Sequence, residues 1–243
     1  MDYLAHLQQE LAAFEACLGG DLSAPVEHCG DWTLYDLASH LGGGNLWAAA
    51  AVTEQRGDYE AAPAPRDPSA VAEWLNGTGG VLLAALDTDP AASAWTIAPP
   101  PTVGFWQRRR AQEALIHRWD AEHALGTAGP LDPALADDGI AEVIDIIAPR
   151  QVRLGRTAAP AHAVGLHATD TGSRRILGPG DPVATVSGSE RTLRPDDPVA
   201  TASGTATDLL LLLWGRLDAG DPAITWDGDG ELARSVLAAA LVP

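Results

Sequence analysis

The chain has 243 residues, enough to bury one large core or two modest ones, and this length leans toward two domains. A formal net charge of -18 and a pI near 4.5 give a surface that repels phosphate backbones, which argues against nucleic acid as a partner. All 15 residues counted as Lys or Arg are arginines, which excludes a lysine nucleophile or Schiff base.

Residues 2–18 place Leu4, Leu7, Leu11, Phe14 and Leu18 at helical spacing, ended by Gly19-Gly20. A second helix is expected from Thr33, with Asp36 completing a capping-box-like start, to about Gln55. After an Ala- and Pro-rich linker, Glu60 to Pro68, a third helix runs from Ser69 to Leu86. A Pro-rich connection then leads into a fourth, from Val103 to about Leu125. Four amphipathic helices in sequence predict a four-helix bundle, and a fifth, Pro133 to Pro149, is expected to cap or bridge it.

Beyond Leu154 the period changes. Apolar and polar residues alternate in His162 to Thr169 and in Val183 to Val186, separated by turn signals such as Asp170-Thr171-Gly172. Helical pieces follow at Thr207 to Leu217 and Gly230 to Leu241, with a short strand expected at Ala223 to Trp226. The whole reads as α plus α+β: a helical bundle over 1–152, then a small α+β domain over 158–243 with an antiparallel sheet.

Met1-Asp2-Tyr3-Leu4 offers neither a basic nor an apolar leader region, and the longest apolar run, Leu209 to Trp214, is too short to span a bilayer. The expectation is a cytoplasmic protein without a membrane partner. Cys17 and Cys29 form no disulfide framework and read as small buried side chains in a reducing compartment.

Chemistry concentrates on two helices. Glu113 and His117 are four residues apart, just over one helical turn, so they project the same way, as two ligands of one metal ion would. Arg109, Glu113, His117 and Asp120 share a sector of roughly 80° beside an apolar one, so an exposed ion pair explains the pair equally well. His40 lies on the apolar stripe of the second helix with Leu37, Gly44 and Trp47, where it should be at least half buried. Gly42-Gly43-Gly44 follows it, each Gly costing about 1 kcal/mol in a helix, which makes sense where something large approaches the backbone closely or the helix bends, and both favour a cavity beside His40. Two His and one Glu with an open fourth position is a common catalytic zinc set. Asp120 is the residue that could close that position. His123 is rotated by about 120° from His117 and is not expected to share its ion; His6, His28, His162 and His167 read as structural or exposed.

Cys29-Gly30-Asp31-Trp32-Thr33-Leu34-Tyr35-Asp36-Leu37-Ala38-Ser39-His40-Leu41 resembles the Cys-Pro-x-Trp-Thr-x-x-Asp-Leu-x-x-His-Leu signature of the mycothiol-dependent maleylpyruvate isomerase family, which belongs to the DinB-like metal-dependent bundles. Gly30 replaces the usual Pro. Glu113 to Glu122 looks like the family's second metal motif, and His167 to Gly172 with Ser203 to Arg216 is similar to its C-terminal domain. The resemblance implies a divalent metal, zinc by preference, on His40, Glu113 and His117, and mycothiol as thiol cofactor. It implies a metal-bound thiolate attacking a small electrophilic or dicarboxylate substrate, as a cis–trans isomerase of maleylpyruvate or as a thiol S-transferase. It also implicates a C-terminal arginine, for which Arg216 is the candidate, while Arg109 is a second arginine able to hold a carboxylate. A metal hydrolase using bound water, or a non-catalytic small-ligand-binding protein with a structural metal, are the alternatives.

Overall fold

The computed structural model describes residues 1–178, 198–239 and 241–242. Four long helices, α1 (Tyr3–Cys17), α2 (Leu34–Thr53), α3 (Pro68–Leu86) and α4 (Val103–Ala124), form the bundle. Each of α1, α2 and α3 starts on a side chain that satisfies orphan amides. Asp2 accepts from the Ala5 amide, and Asp67 accepts from those of Ser69 and Ala70, with Pro68 in the first turn. Thr33 and Asp36 make the reciprocal capping box expected of α2. Around the bundle, α4 packs beside α1 and α2, and α3 beside the same two. Leu7, Phe14, Leu34, Leu37, Leu41, Leu75, Leu82, Leu115 and Ile116 fill the core.

Helix α4 departs from the amphipathic expectation. Its apolar residues are buried, but so are Gln107, Arg109, Arg110, Gln112, His117, Arg118 and Asp120. The polar stripe therefore faces the interior, where burying charge is tolerable only with partners. Arg118 has them: its guanidinium donates to Glu10 and Glu122, each at 2.8 Å.

The triple glycine of α2 interrupts nothing; the helix runs through it. A Cβ on Gly42 would lie 2.3 Å from the Trp74 ring, and one on Gly44 would lie 2.8 Å from an Arg110 nitrogen. Gly42 and Gly44 admit a neighbouring indole and guanidinium, so of the two expected reasons the close approach to the backbone is the one the structure has.

Two compact units divide at Pro130/Leu131. Helix α5 (Pro133–Glu142), a π-helical turn (Val143–Ile147) and α6 (Ala148–Arg153) continue one helical run. Helix α5 packs on α7 (Ala206–Leu213) and so belongs by contact to the second unit. The division thus falls upstream of the change in periodicity near 150–158. A four-stranded sheet has the order β2-β1-β3-β4, from β1 (Val164–Ala168), β2 (Arg174–Leu177), β3 (Ala200–Gly204) and β4 (Thr225–Gly228). The outer pairings are antiparallel, but β1 and β3 run parallel, Val164 opposite Ala200, which corrects the expected antiparallel sheet. A parallel return needs a connection of a dozen residues or more, and the chain between β1 and β3, residues 169–199 with β2 within it, exceeds that length. The expected alternating run at Val183 to Val186 lies outside the described residues. Helix α8 (Gly230–Leu237) packs on β3, and no helix among the described residues is long and apolar enough to cross a membrane.

Candidate metal centre

The loop joining α1 to α2 builds one wall of the site. Its backbone closes on itself: the Val26 amide donates to the Trp32 carbonyl at 2.8 Å, and the Cys29 amide to the Val26 carbonyl at 3.0 Å. Gly30 sits at φ 65°, a conformation that the proline ring forbids. The turn in this chain is therefore built for glycine.

Helices α2 and α4 pack together and bring His40 to Glu113 and His117. The Nε2 atoms of His40 and His117 lie 3.1 and 3.3 Å from the same Glu113 oxygen, Oε1. One ligand atom from each residue falls within 4.8 Å of the others. Two donors bound to a tetrahedral zinc at its usual bond lengths stand about 3.3 Å apart, so these separations suit a ligand set as well as the hydrogen bonds they make without an ion. The imidazoles meet edge to face at 5.0 Å. Trp32 from the loop packs on His40 at 4.9 Å.

The atoms pointing away from this convergence are tied as well. His117 Nδ1 is 3.1 Å from Asp120 Oδ2, which leaves Nε2 as the ligand nitrogen. Arg109 Nη2 donates to Glu113 Oε2 at 2.6 Å. Asp120 therefore stands behind His117 rather than closing the fourth position. The Cys29 thiol donates to the same Asp120 oxygen at 3.7 Å. Sequence spacing could not show this contact, since 91 residues separate the two. Cys29 is half-buried, whereas Cys17 is buried as expected.

Burial would raise the Glu113 carboxyl, but the Arg109 charge and hydrogen bonds from His117 and His40 outweigh it, holding the group well below its ordinary value. Burial would lower His117, yet hydrogen bonds to Asp120 and Glu113 raise it. Arg110 is buried next to them, donating to the Leu41 carbonyl and the Asn45 amide oxygen; burial pushes it down to about 10. An ionised carboxylate facing two imidazole Nε2 atoms, with His117 Nδ1 held on Asp120, is a donor set that fits a divalent cation once the proton between His117 and Glu113 is displaced. The His40 side chain is 41% exposed against 17% for Glu113 and 7% for His117. Access is thus from the His40 side. His40 lies at the rim and not in the apolar core that holds Leu37 and Leu41.

The two predicted arginines lie in different units. Arg109 is 5% exposed and engaged with Glu113. Arg216 follows α7 in the second unit, half-buried, with Nη1 donating to the Trp214 carbonyl and its guanidinium 5.6 Å from the Trp214 ring centre.

Fold and cluster define the class: a four-helix bundle with a His, Glu and His set on α2 and α4, followed by an α+β unit. The chain belongs to the mycothiol-dependent maleylpyruvate isomerase family. Residues 4–122 match the mycothiol maleylpyruvate isomerase N-terminal domain, and residues 134–235 match the family's C-terminal domain. Two uncharacterized Mycobacterium tuberculosis proteins, MT0763 (strain CDC 1551 / Oshkosh) and Rv0738 (strain ATCC 25618 / H37Rv), are each 27% identical over 158 residues, 62% of this chain and 82% of theirs. Among solved structures, mycothiol-dependent maleylpyruvate isomerase superposes with TM-score 0.63 at 15% identity, covering 93% of this chain and 91% of that one. A point mutant of that isomerase gives 0.65 at 14% identity, with the same coverage. At these identities the likeness is one of fold.

Proposed function

We propose that this protein is a metal- and mycothiol-dependent enzyme of maleylpyruvate isomerase type, acting on a small electrophilic substrate as a cis–trans isomerase or thiol S-transferase. The observation that carries the metal half is the convergence of both Nε2 atoms on Glu113 Oε1. Family membership supports the thiol half and the substrate class.

His40, Glu113 and His117 would hold the ion, zinc by donor preference. A divalent ion there supplies the acidity that keeps a coordinated thiol as thiolate near neutral pH. The chain's residues do the positioning. Asp120 fixes the His117 ring and its tautomer, and Arg109 keeps Glu113 ionised and aimed. Trp32 shields one side of His40, leaving its exposed edge as the approach. Arg216, the C-terminal arginine that the family resemblance implicates, is the one we assign to a substrate carboxylate.

Two measurements test this reading. Metal content is compared in the wild type and in His40→Ala, Glu113→Ala and His117→Ala; full retention in all three would remove the centre. Maleylpyruvate turnover is then followed with and without mycothiol. Thiol-dependent turnover supports the reading, thiol-independent turnover favours bound water as nucleophile, and zinc retention with no reaction of any electrophile favours a non-catalytic role.

A further inference from the structure

A second group of ligand-type side chains gathers at the C-terminal end of α4. Glu27 and His28 come from the α1–α2 loop, and His123 from the last turn of α4; one ligand atom from each lies within 4.8 Å of the others. Glu27 Oε2 and His123 Nε2 are 2.9 Å apart. Both imidazoles rest on one indole: Trp119 stacks on His123 at 4.7 Å and on His28 at 6.1 Å, and the two histidine rings are 5.5 Å apart. Trp119 is buried, so the surface ordering these rings is part of the core. The hydrogen bond from His123 and the nearby His28 hold the Glu27 carboxyl below its usual range. An exposed ion pair would need only Glu27 and His123. A third donor held against the same indole, within ligand distance, gives the group the composition of a metal site.

We propose that Glu27, His28 and His123 form a second site, separate from the bundle centre, for a divalent transition-metal ion completed by water. Imidazole and carboxylate donors suit zinc, copper or nickel rather than magnesium or calcium, which prefer all-oxygen sets. The ion would tether the loop that also carries Cys29 to Asp120 and Trp32 to His40. Loop placement beside the first centre and occupancy of the second site are thereby linked.

The full-length, metal-free chain is titrated with zinc by equilibrium dialysis, with circular dichroism confirming the fold of every variant. The wild type is expected to take two equivalents. A His40→Ala/Glu113→Gln double variant, with the first centre disabled, keeps one. Adding His123→Ala removes that equivalent, and Glu27→Gln, an exposed change that spares the fold, weakens it by at least ~10-fold. Zinc should also raise the melting temperature of the double variant and not of the triple one. The site is overturned if the double variant binds no zinc, or if its equivalent survives both His28→Ala and His123→Ala with unchanged affinity. Loss of the bundle centre alone would read differently: one equivalent in the wild type that His123→Ala, and not Glu113→Gln, removes.

Discussion

Asp120→Ala separates a positioning residue from a ligand. The carboxylate is fully buried, 3.1 Å from His117 Nδ1 and on the side away from Glu113. Removing it frees the His117 ring to rotate and to exchange tautomers, so part of the population presents a protonated Nε2. Loss of such an outer carboxylate costs about 10–100-fold in metal affinity, which is about 1.4–2.7 kcal/mol at 1.36 kcal/mol per tenfold. Asp120→Asn should fall at the low end, because an amide oxygen still accepts from Nδ1–H but brings no charge. A second cost appears without metal. Both His117 Nδ1 and the Cys29 thiol lose an acceptor in the interior, a penalty of about 1–3 kcal/mol. Zinc affinity is read by competition with a chromophoric chelator, and stability by the urea midpoint of the metal-free chain. Wild-type zinc affinity in a natively folded Asp120→Ala would refute the tautomer argument. Complete loss of zinc, equal to that of His117→Ala, would instead make Asp120 a ligand.

Zinc affinity should rise with pH by about tenfold per unit while His117 keeps the proton that zinc displaces. It should level once the pH passes that raised folded value. In the metal-free chain the sign is opposite: stabilisation from the raised His117 is complete below the unfolded value near 6.5 and is lost as pH climbs through the folded one. Urea midpoints across that window check it. Gly42→Ala should destabilise, since a Cβ 2.3 Å from Trp74 overpacks by about 1–3 kcal/mol against the about 1 kcal/mol that alanine gains in a helix. Gly77→Ala, at an exposed α3 position with nothing within 4 Å, should stabilise by up to about 1 kcal/mol; urea midpoints moving the same way would contradict the packing account. Arg216→Met is expected to raise KM for a dicarboxylate substrate far more than it lowers kcat, whereas a change confined to thermal stability would return Arg216 to a structural role.

The bundle was legible because its helices start where local chemistry says they must. Thr33 with Asp36, and Pro68 behind Asp67, fix two N-termini within a residue or two of the expected ones. The second unit was less legible. Strands Arg174–Leu177 and Ala200–Gly204 are short, rich in arginine or in Ala, Ser, Thr and Gly, and show little of the hydrophobic alternation that marks a half-buried strand. Their parallel and antiparallel pairing depends on contacts that no local period encodes. Helix α5 reads like a bundle helix, yet its buried face, Leu135, Ala136 and Ile140, belongs to a unit with α7.

The site was half legible, and the missing half has one cause. A polar stripe on α4 suggests solvent, because charge is normally outside; here Arg109, His117, Arg118 and Asp120 are all buried. Their partners come from α1, the α1–α2 loop and α4 itself: Glu10, Cys29, Glu113 and Glu122. Spacing along α4 reveals that Glu113 and His117 point together, but it is silent on whether they point inward. That information lies in the complementary set, residues up to 108 positions away that satisfy each buried charge. A helix that buries this many charged groups is a poor choice for stability alone, since apolar replacements of paired charges are often neutral or better. Its arrangement is economical only if the interior charges orient something. Among the described residues, Arg109, His117 and His40 meet on Glu113, beside the exposed edge of His40.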